Sequence, residues 1–248
     1  MAKDKFSDQA SYYAAYRPGY PEELIEYVVG FVKNKDLAWD CATGNGQVAS
    51  LLAKHFKRIL ATDISQNQLA KARSLENIFY SFAPAESTAF PDDSFDLITV
   101  AQAYHWFNFT AFEKEARRVG KPGSVVAIWG YNLMQCGEPA IDELVRYLYK
   151  DVVGPYWDAE RKYVENDYRD APFNFEPLPT ADFAMKVEWS RNHVLGYMRS
   201  WSAVQNFIKA EGFDPVNETE EKLSILWEAN ELKQFQFPVF LKLGRIQK

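Results

Sequence analysis

The sequence predicts an α/β fold, a doubly wound, mostly parallel sheet of seven strands with one antiparallel strand near the C-terminus and a helical, aromatic insertion forming a cap. Three observations predict it. Over the first two-thirds, strand-like and helix-like patterns alternate. The strand segments are apolar almost throughout, as strands covered on both faces must be. Beyond that, residues 154–180 break the alternation with four prolines and the aromatics Tyr156, Trp157, Tyr163, Tyr168, Phe173 and Phe175, too aromatic for a linker.

Pro21 with Glu22 and Glu23 starts a helix, since Pro loses no bond there and acids suit the dipole, and Leu24, Ile25, Val28, Val29 and Val32 share one face. Leu37 to Cys41 reads as the first strand. Val48, Leu51, Leu52 and Phe56 mark a helix over Gln47 to Lys57, and Arg58 to Thr62 the second strand. Ser65 with Gln68 forms a capping box. Asn77 to Phe82 and Phe95 to Ala101 are the third and fourth strands. Thr110 with Glu113 reads as a second capping box, in a helix stopped at Lys121-Pro122-Gly123. Ser124 to Trp129 is the fifth strand, Phe183 to Ser190 the sixth. Helical patterns follow over Val194 to Ala210 and Thr219 to Asn230, and Phe235 to Ile246 is a final strand, antiparallel at or near an edge.

The chain has 248 residues, 47% hydrophobic and 25% charged. That suits a single domain, with a core over 20–133, a cap over about 134–182 and C-terminal strands and helices over 183–248. A net charge of −6 argues against a nucleic-acid or anionic-membrane binder. Cys41 and Cys136 form no disulfide framework, the N-terminal residues lack the apolar run of a signal peptide, and no stretch would span a bilayer, so a cytoplasmic protein is expected. His55, His105 and His193 lie far apart, so no metal site is expected.

Asp40-Cys41-Ala42-Thr43-Gly44-Asn45-Gly46-Gln47 follows a strand and opens a helix, where backbone N–H groups and the helix dipole receive an anionic group. Small residues at 42, 44 and 46 let a ligand approach the backbone. A dinucleotide fingerprint would place a third glycine where Gln47 stands, and Asp40 would repel a pyrophosphate. Asp40 suits instead a ligand with an ammonium group beside a carboxylate; a carboxyl that only ties down the turn is the alternative. Asp63, seventeen residues after Gly46, ends the second strand and can accept both hydroxyls of a ribose.

Asp40 to Gly46 with Asp63 resembles the class I S-adenosylmethionine-dependent methyltransferases, of the type 11 domain. Ala85-Glu86 with Phe90-Pro91-Asp92-Asp93-Ser94-Phe95-Asp96 is similar to that family's adenine-side segment. Ala101-Gln102-Ala103-Tyr104-His105-Trp106-Phe107, Tyr16-Arg17-Pro18-Gly19-Tyr20-Pro21 and Trp201-Ser202 resemble the trans-aconitate methyltransferase-like subgroup. The resemblance implies a Rossmann-like sheet and a cofactor site of Arg17, Asp40, Ala42, Thr43, Gly44, Asn45, Gly46, Asp63, Ile64, Gln68, Ala85, Glu86, Ala101 and Gln102. Ala42 stands where the family has a glycine, and Pro84 where many members have an acid for the adenine amino group.

Methyl transfer from a sulphonium is an in-line displacement, so the enzyme chiefly aligns the reactants and excludes water. The acceptor pocket is expected over the loop after the fourth strand, lined by Tyr12, Tyr16, Tyr104, His105, Trp106, Trp129 and Trp201, with His105 orienting the acceptor or acting as base. Arg17 pairs well with a carboxylate of cofactor or substrate. The expectation is methylation of a small molecule, with O-methylation of a carboxylate favoured by the resemblance and by Arg17, in a monomer or homodimer. The segment from Ala101 to Phe107 lacks the Pro-Pro-aromatic clamp of amino-base methyltransferases, and neither cysteine follows a proline as a cytosine-attacking thiolate would. A nicotinamide-dependent oxidoreductase and a non-catalytic cofactor-binding partner are the competing readings.

Overall fold

The computed structural model describes residues 16–248, so Tyr12 lies outside the described residues. Glu22–Gly30 (α1) buries Leu24, Ile25, Val28 and Val29. Leu37–Cys41 (β1), Gln47–Leu52 (α2), Arg58–Asp63 (β2), Gln66–Leu69 (α3) and Ile78–Phe82 (β3) follow. The chain then returns through Phe95–Ala101 (β4), Phe109–Val119 (α4) and Gly120–Tyr131 (β5). Pro139–Tyr147 (α5), Arg161–Glu165 (α6) and Glu176–Pro177 (β6) carry the insertion, and Phe183–Ser190 (β7), Arg191–Arg199 (α7), Ser202–Glu211 (α8), Val216–Leu226 (α9) and Leu232–Arg245 (β8) complete the chain.

The sheet runs β3-β2-β1-β4-β5-β8-β6, with β7 also on β8. The first five strands are mutually parallel, and β8 is antiparallel to β5, β6 and β7. Val239 pairs with both Tyr131 and Phe183, so β8 lies between β5 and β7. Seven strands match the expected segments; the eighth is the two-residue β6. On β5, Val125, Ala127, Trp129 and Tyr131 pack into one core cluster, and Val126 and Ile128 into the other. This period-two division puts a core on each face of the sheet. The strand order reverses between β1 and β4, and a crevice opens there beyond their C-terminal ends.

Three local expectations are corrected. The cap of α4 is Asn108, whose side chain accepts from the Ala111 N–H at 3.1 Å. Thr110 therefore falls inside the helix, and Glu113 instead accepts from the Asn174 backbone and carboxamide at 2.9 and 2.8 Å, tying the insertion to α4. The pattern over Val194 to Ala210 is two helices, broken where Trp201 is extended (φ −70°, ψ 136°). Strand β5 begins at Gly120, earlier than its apolar run. Among the described residues no helix is long and apolar enough to cross a membrane.

Candidate active site

Register builds the first wall. Asp40 on β1 sits between Ala61 of β2 and Thr99 of β4. Its carboxylate is 1% exposed. Oδ1 accepts from Thr99 Oγ1 at 2.9 Å, while Oδ2 accepts from Thr43 Oγ1 at 2.5 Å and from the Ala49 N–H at 3.0 Å. Asp40 thus braces the loop and the first turn of α2 through three of its four lone-pair sites, and it also lines the space beside the loop. Burial, opposed by these bonds, pushes its carboxyl up to about 6.

The loop from β1 to α2 is bent by Ala42, Gly44 and Gly46, all in the left-handed region at φ 54°, 57° and 81°. Thr43 N–H donates to the Thr62 carbonyl at 2.9 Å, and Gly44 N–H to Asp63 Oδ2 at 2.8 Å. Asp63 Oδ1 accepts from the Ser65 N–H at 2.8 Å, so Asp63 couples the loop to the cap of α3. A Cβ at Gly46 would lie 2.2 Å from the Tyr80 hydroxyl oxygen, whereas one at Gly44 would meet only open space.

That open space is a chamber walled by Arg17, Tyr20, Asp40, Ala42, Thr43, Gly44, Asn45, Gln47, Ala101, Gln102 and Tyr131, among others. A second chamber lies under the insertion. Its walls include His105 and Trp106 after β4, Tyr149, Trp157, Asp158 and Arg161 of the insertion, and Tyr197 and Trp201 of the C-terminal helices. Arg17, Gln102 and Tyr131 belong to both chambers and form the partition between them.

The partition is fixed by Gln102, which turns left-handed (φ 51°) at the end of β4. Its N–H donates to the Trp129 carbonyl at 2.8 Å, and its carboxamide accepts from the Tyr131 N–H at 2.8 Å and donates to the Tyr131 carbonyl at 3.3 Å. The side chain continues the β4–β5 ladder after the backbone has left it. Gly130 makes room, for a Cβ there would lie 2.6 Å from Gln102 Oε1. Arg17 Nη1 donates to the Tyr131 hydroxyl at 2.6 Å, with its guanidinium over the Tyr197 ring at 5.2 Å.

The second chamber is aromatic and carries cationic groups. Arg161 stacks at 4.6 Å over Trp157 and donates from Nε to the Tyr149 hydroxyl at 2.8 Å. Among the described residues no carboxylate pairs with Arg161. His105 Nδ1 lies 2.8 Å from the hydroxyl of Tyr168.

Two expected pocket residues are core residues. Tyr104 is wholly buried, its hydroxyl donating to the Pro172 carbonyl at 2.6 Å and its ring against Phe109 and Phe112. Trp129 is wholly buried on β5, with Tyr20 edge-on to it. Tyr16 packs on His193 and fills the space beside Gly196, outside both chambers. Of the expected cofactor residues, Gly46, Asp63, Ile64, Gln68, Ala85 and Glu86 are not in the chamber wall. Gln68 is buried beside Ser65, and Glu86 Oε1 accepts from the Asn108 N–H at 2.9 Å. Tyr131, Tyr149, Trp157, Arg161 and Tyr197 were not singled out from sequence; the aromatic density of 154–180 was the only signal for part of that set.

A family model described as a methyltransferase domain matches residues 39–128. A Dictyostelium discoideum protein named as a methyltransferase is 34% identical over 249 residues, covering 98% of this chain and 95% of its own length. The chain belongs to the S-adenosylmethionine-dependent methyltransferases. This methyltransferase also superposes with a TM-score of 0.87 on a type II methyltransferase from Anaeromyxobacter dehalogenans, 34% identical, over 94% of this chain and 99% of that one. The YcgJ protein of Bacillus subtilis, at 16% identity and a TM-score of 0.52, shares the fold. The residues present fit the cofactor: the loop offers open space beside Gly44, and the Arg17 guanidinium, of a kind that suits a carboxylate, lines the same chamber.

Proposed function

We propose that this methyltransferase acts on a small molecule bearing a carboxylate, with O-methylation of a carboxylate as the reaction. One observation carries the reading. The aromatic chamber beyond the Arg17–Gln102–Tyr131 partition holds Arg161, a guanidinium with no carboxylate partner among the described residues, stacked on Trp157. Planar guanidinium suits a planar anion, and an aromatic wall suits the body of a small organic acid.

In this reading the chain is one catalytic domain, with its core over 20–133 and its cap over about 134–182. The methionine tail lies against the glycine loop with its carboxylate toward Arg17. Asp63 accepts from the ribose hydroxyls, and Ile64, Gln68, Ala85 and Glu86 lie on the adenine side. S-Adenosylmethionine supplies an electrophilic methyl group. Arg17, Gln102 and Tyr131 hold the two chambers in line, Trp106 and Trp201 wall the acceptor and exclude water, and His105 orients it. An ionised carboxylate needs no base.

The test is a panel of di- and tricarboxylic acids, the trans-aconitate type among them, and of aromatic acids, amines and phenols, assayed with methyl-labelled S-adenosylmethionine. Methyl esters are the expected products. Arg161→Ala is expected to raise KM for the acid about 10- to 100-fold, the range for a hydrogen bond to a charged group, while S-adenosylhomocysteine binds as before. Turnover confined to amines or phenols, or an unchanged KM in the variant, overturns the reading.

A further inference from the structure

Tyr149 enters the acceptor chamber from a π-helical turn, Leu148–Val152, that continues α5. Turns of this kind are rare and are frequent at functional sites. Here the turn redirects one carbonyl. In an α-helix the Val153 N–H would reach the Tyr149 carbonyl, but it donates instead to the Leu148 carbonyl at 3.0 Å. The Tyr149 carbonyl accepts from Trp157 Nε1 at 3.1 Å. The indole that carries the Arg161 guanidinium is thereby fixed to the backbone of Tyr149, and the two rings pack at 4.9 Å.

The side chain of Tyr149 holds Arg161 as well. Arg161 Nε donates to the Tyr149 hydroxyl at 2.8 Å, and that hydroxyl donates to Glu165 Oε1 at 3.1 Å. Chemistry fixes both directions, since a guanidinium only donates and an ionised carboxylate only accepts. Burial, opposed by Arg161, pushes the phenol up to about 12, so it keeps the proton it donates. Arg161 and Glu165 open and close α6. Four residues apart, they share one face of the helix, the spacing at which Arg and Glu pair directly. Among the described residues Arg161 forms no ion pair, and the phenol stands between it and Glu165. Arg161 lines the chamber; Glu165 lies outside its wall.

We infer that Tyr149 is a positioning residue that keeps Arg161 from pairing with Glu165 and so leaves the guanidinium fork to the carboxylate of the methyl acceptor. With Nε bound to the phenol, Nη1 and Nη2 remain, the two groups that grip a planar carboxylate through parallel bonds. Trp157 supports the face of the same guanidinium. An Arg161 drawn onto Glu165 would be neutralised away from the chamber, and the aromatic wall would lose that cation. Tyr149 therefore favours an acid by acting through Arg161. That the acceptor is an acid rests on the proposed function; the placement of Arg161 does not.

The placement is read without acceptor or turnover, so failure of the inference is distinct from failure of the acid assignment. Crystal structures of the unsubstituted protein and of Tyr149→Phe are solved with S-adenosylhomocysteine. The guanidinium is expected on Trp157 and apart from Glu165 in the first, and in an ion pair with Glu165 in the second. An Arg161–Glu165 ion pair already present in the unsubstituted protein overturns the inference, as does a guanidinium still stacked on Trp157 and apart from Glu165 in Tyr149→Phe. If that variant does not fold, the structure of the unsubstituted protein decides. Kinetics add a readout that a merely structural role would not move. For the acid with the lowest KM in the carboxylic-acid panel, Tyr149→Phe is expected to raise KM about 3- to 10-fold, the range for one hydrogen bond. Adding Glu165→Gln removes the competing charge and should bring KM back to within about twofold of the unsubstituted value. A KM as high in the double variant as in Tyr149→Phe overturns the inference. If no acid is methylated, the proposed function falls and the two structures decide the placement.

Discussion

Arg17 donates to the hydroxyl of Tyr131 at 2.6 Å across 114 positions of sequence. The bond joins the segment before α1 to the last residue of β5, and both side chains face both chambers. The segment before α1 is therefore tied to the sheet at the boundary between the two chambers. On the proposed function, cofactor binding and acceptor alignment share this contact, and changes to it should move both.

Arg17→Ala is expected to weaken S-adenosylhomocysteine binding about 10- to 100-fold, the range for losing a hydrogen bond to a charged group. Tyr131→Phe removes only the hydroxyl, so the loss should stay within about tenfold, near 1 kcal/mol. Titration calorimetry on both variants checks the order. Equal affinities in Arg17→Ala and the unsubstituted protein would remove Arg17 from the cofactor site.

Gly130 and Gln102 form a second coupled pair. A Cβ at Gly130 would meet Gln102 Oε1 at 2.6 Å and a ring carbon of Phe240 at 2.4 Å. Gly130→Ala must displace one or both, and overpacking of this kind costs about 1–3 kcal/mol. If the carboxamide is the group that yields, Gln102→Ala has already removed it, and the double variant should be more stable than the sum of the two losses by at least about 0.5 kcal/mol. Denaturant unfolding of the three proteins measures this; strict additivity would place the clash at Phe240 alone.

The sheet was legible because its strands are buried on both faces, and a run such as Phe95 to Ala101 has few other uses. The glycine loop was legible because its backbone conformation restricts its residues. The bracing of Asp40 was not, because the acid and the Thr99 hydroxyl that donates to it meet only through strand register. Nor could the tripeptide Tyr104-His105-Trp106 say which ring enters the core: a 3₁₀ turn points its three side chains in three directions, and packing against Phe109 and Phe112 decides for Tyr104. Arg161 and Tyr197 join the site only by the folding of the insertion and the break before Trp201. The Thr110–Glu113 pattern was a false cap because Asn108, two residues earlier, is a better one.

Ala42 holds a conformation that a side chain resists, φ 54°. Relief of about 1–2 kcal/mol of left-handed strain is opposed by about 0.5–1 kcal/mol of added chain entropy in the unfolded state. Ala42→Gly should therefore raise stability by up to about 1.5 kcal/mol and leave cofactor affinity within about twofold. A lower melting temperature would show that the Ala42 methyl has packing worth more than its strain.

Asp40 should make stability fall as pH rises. Its folded value, about 6, lies above the ordinary 3.8 because burial disfavours the charge. Between these two values the unfolded chain has ionised this carboxyl while the folded protein still holds the proton, so the native state binds more protons and loses stability with increasing pH. Below the window both states are protonated, and above it both are ionised and the penalty is constant, on the order of 3 kcal/mol. Asp40→Asn keeps an acceptor for the Ala49 N–H and removes the buried charge. Compared with the unsubstituted protein, its stability relative to the acid end of the window should be higher at neutral pH, with the difference closing as pH falls from about 6 to 4. Urea midpoints at several pH values measure this. A difference that widens toward acid would mean that the carboxylate, held by Thr43, Thr99 and Ala49, is worth more to the fold than its desolvation costs.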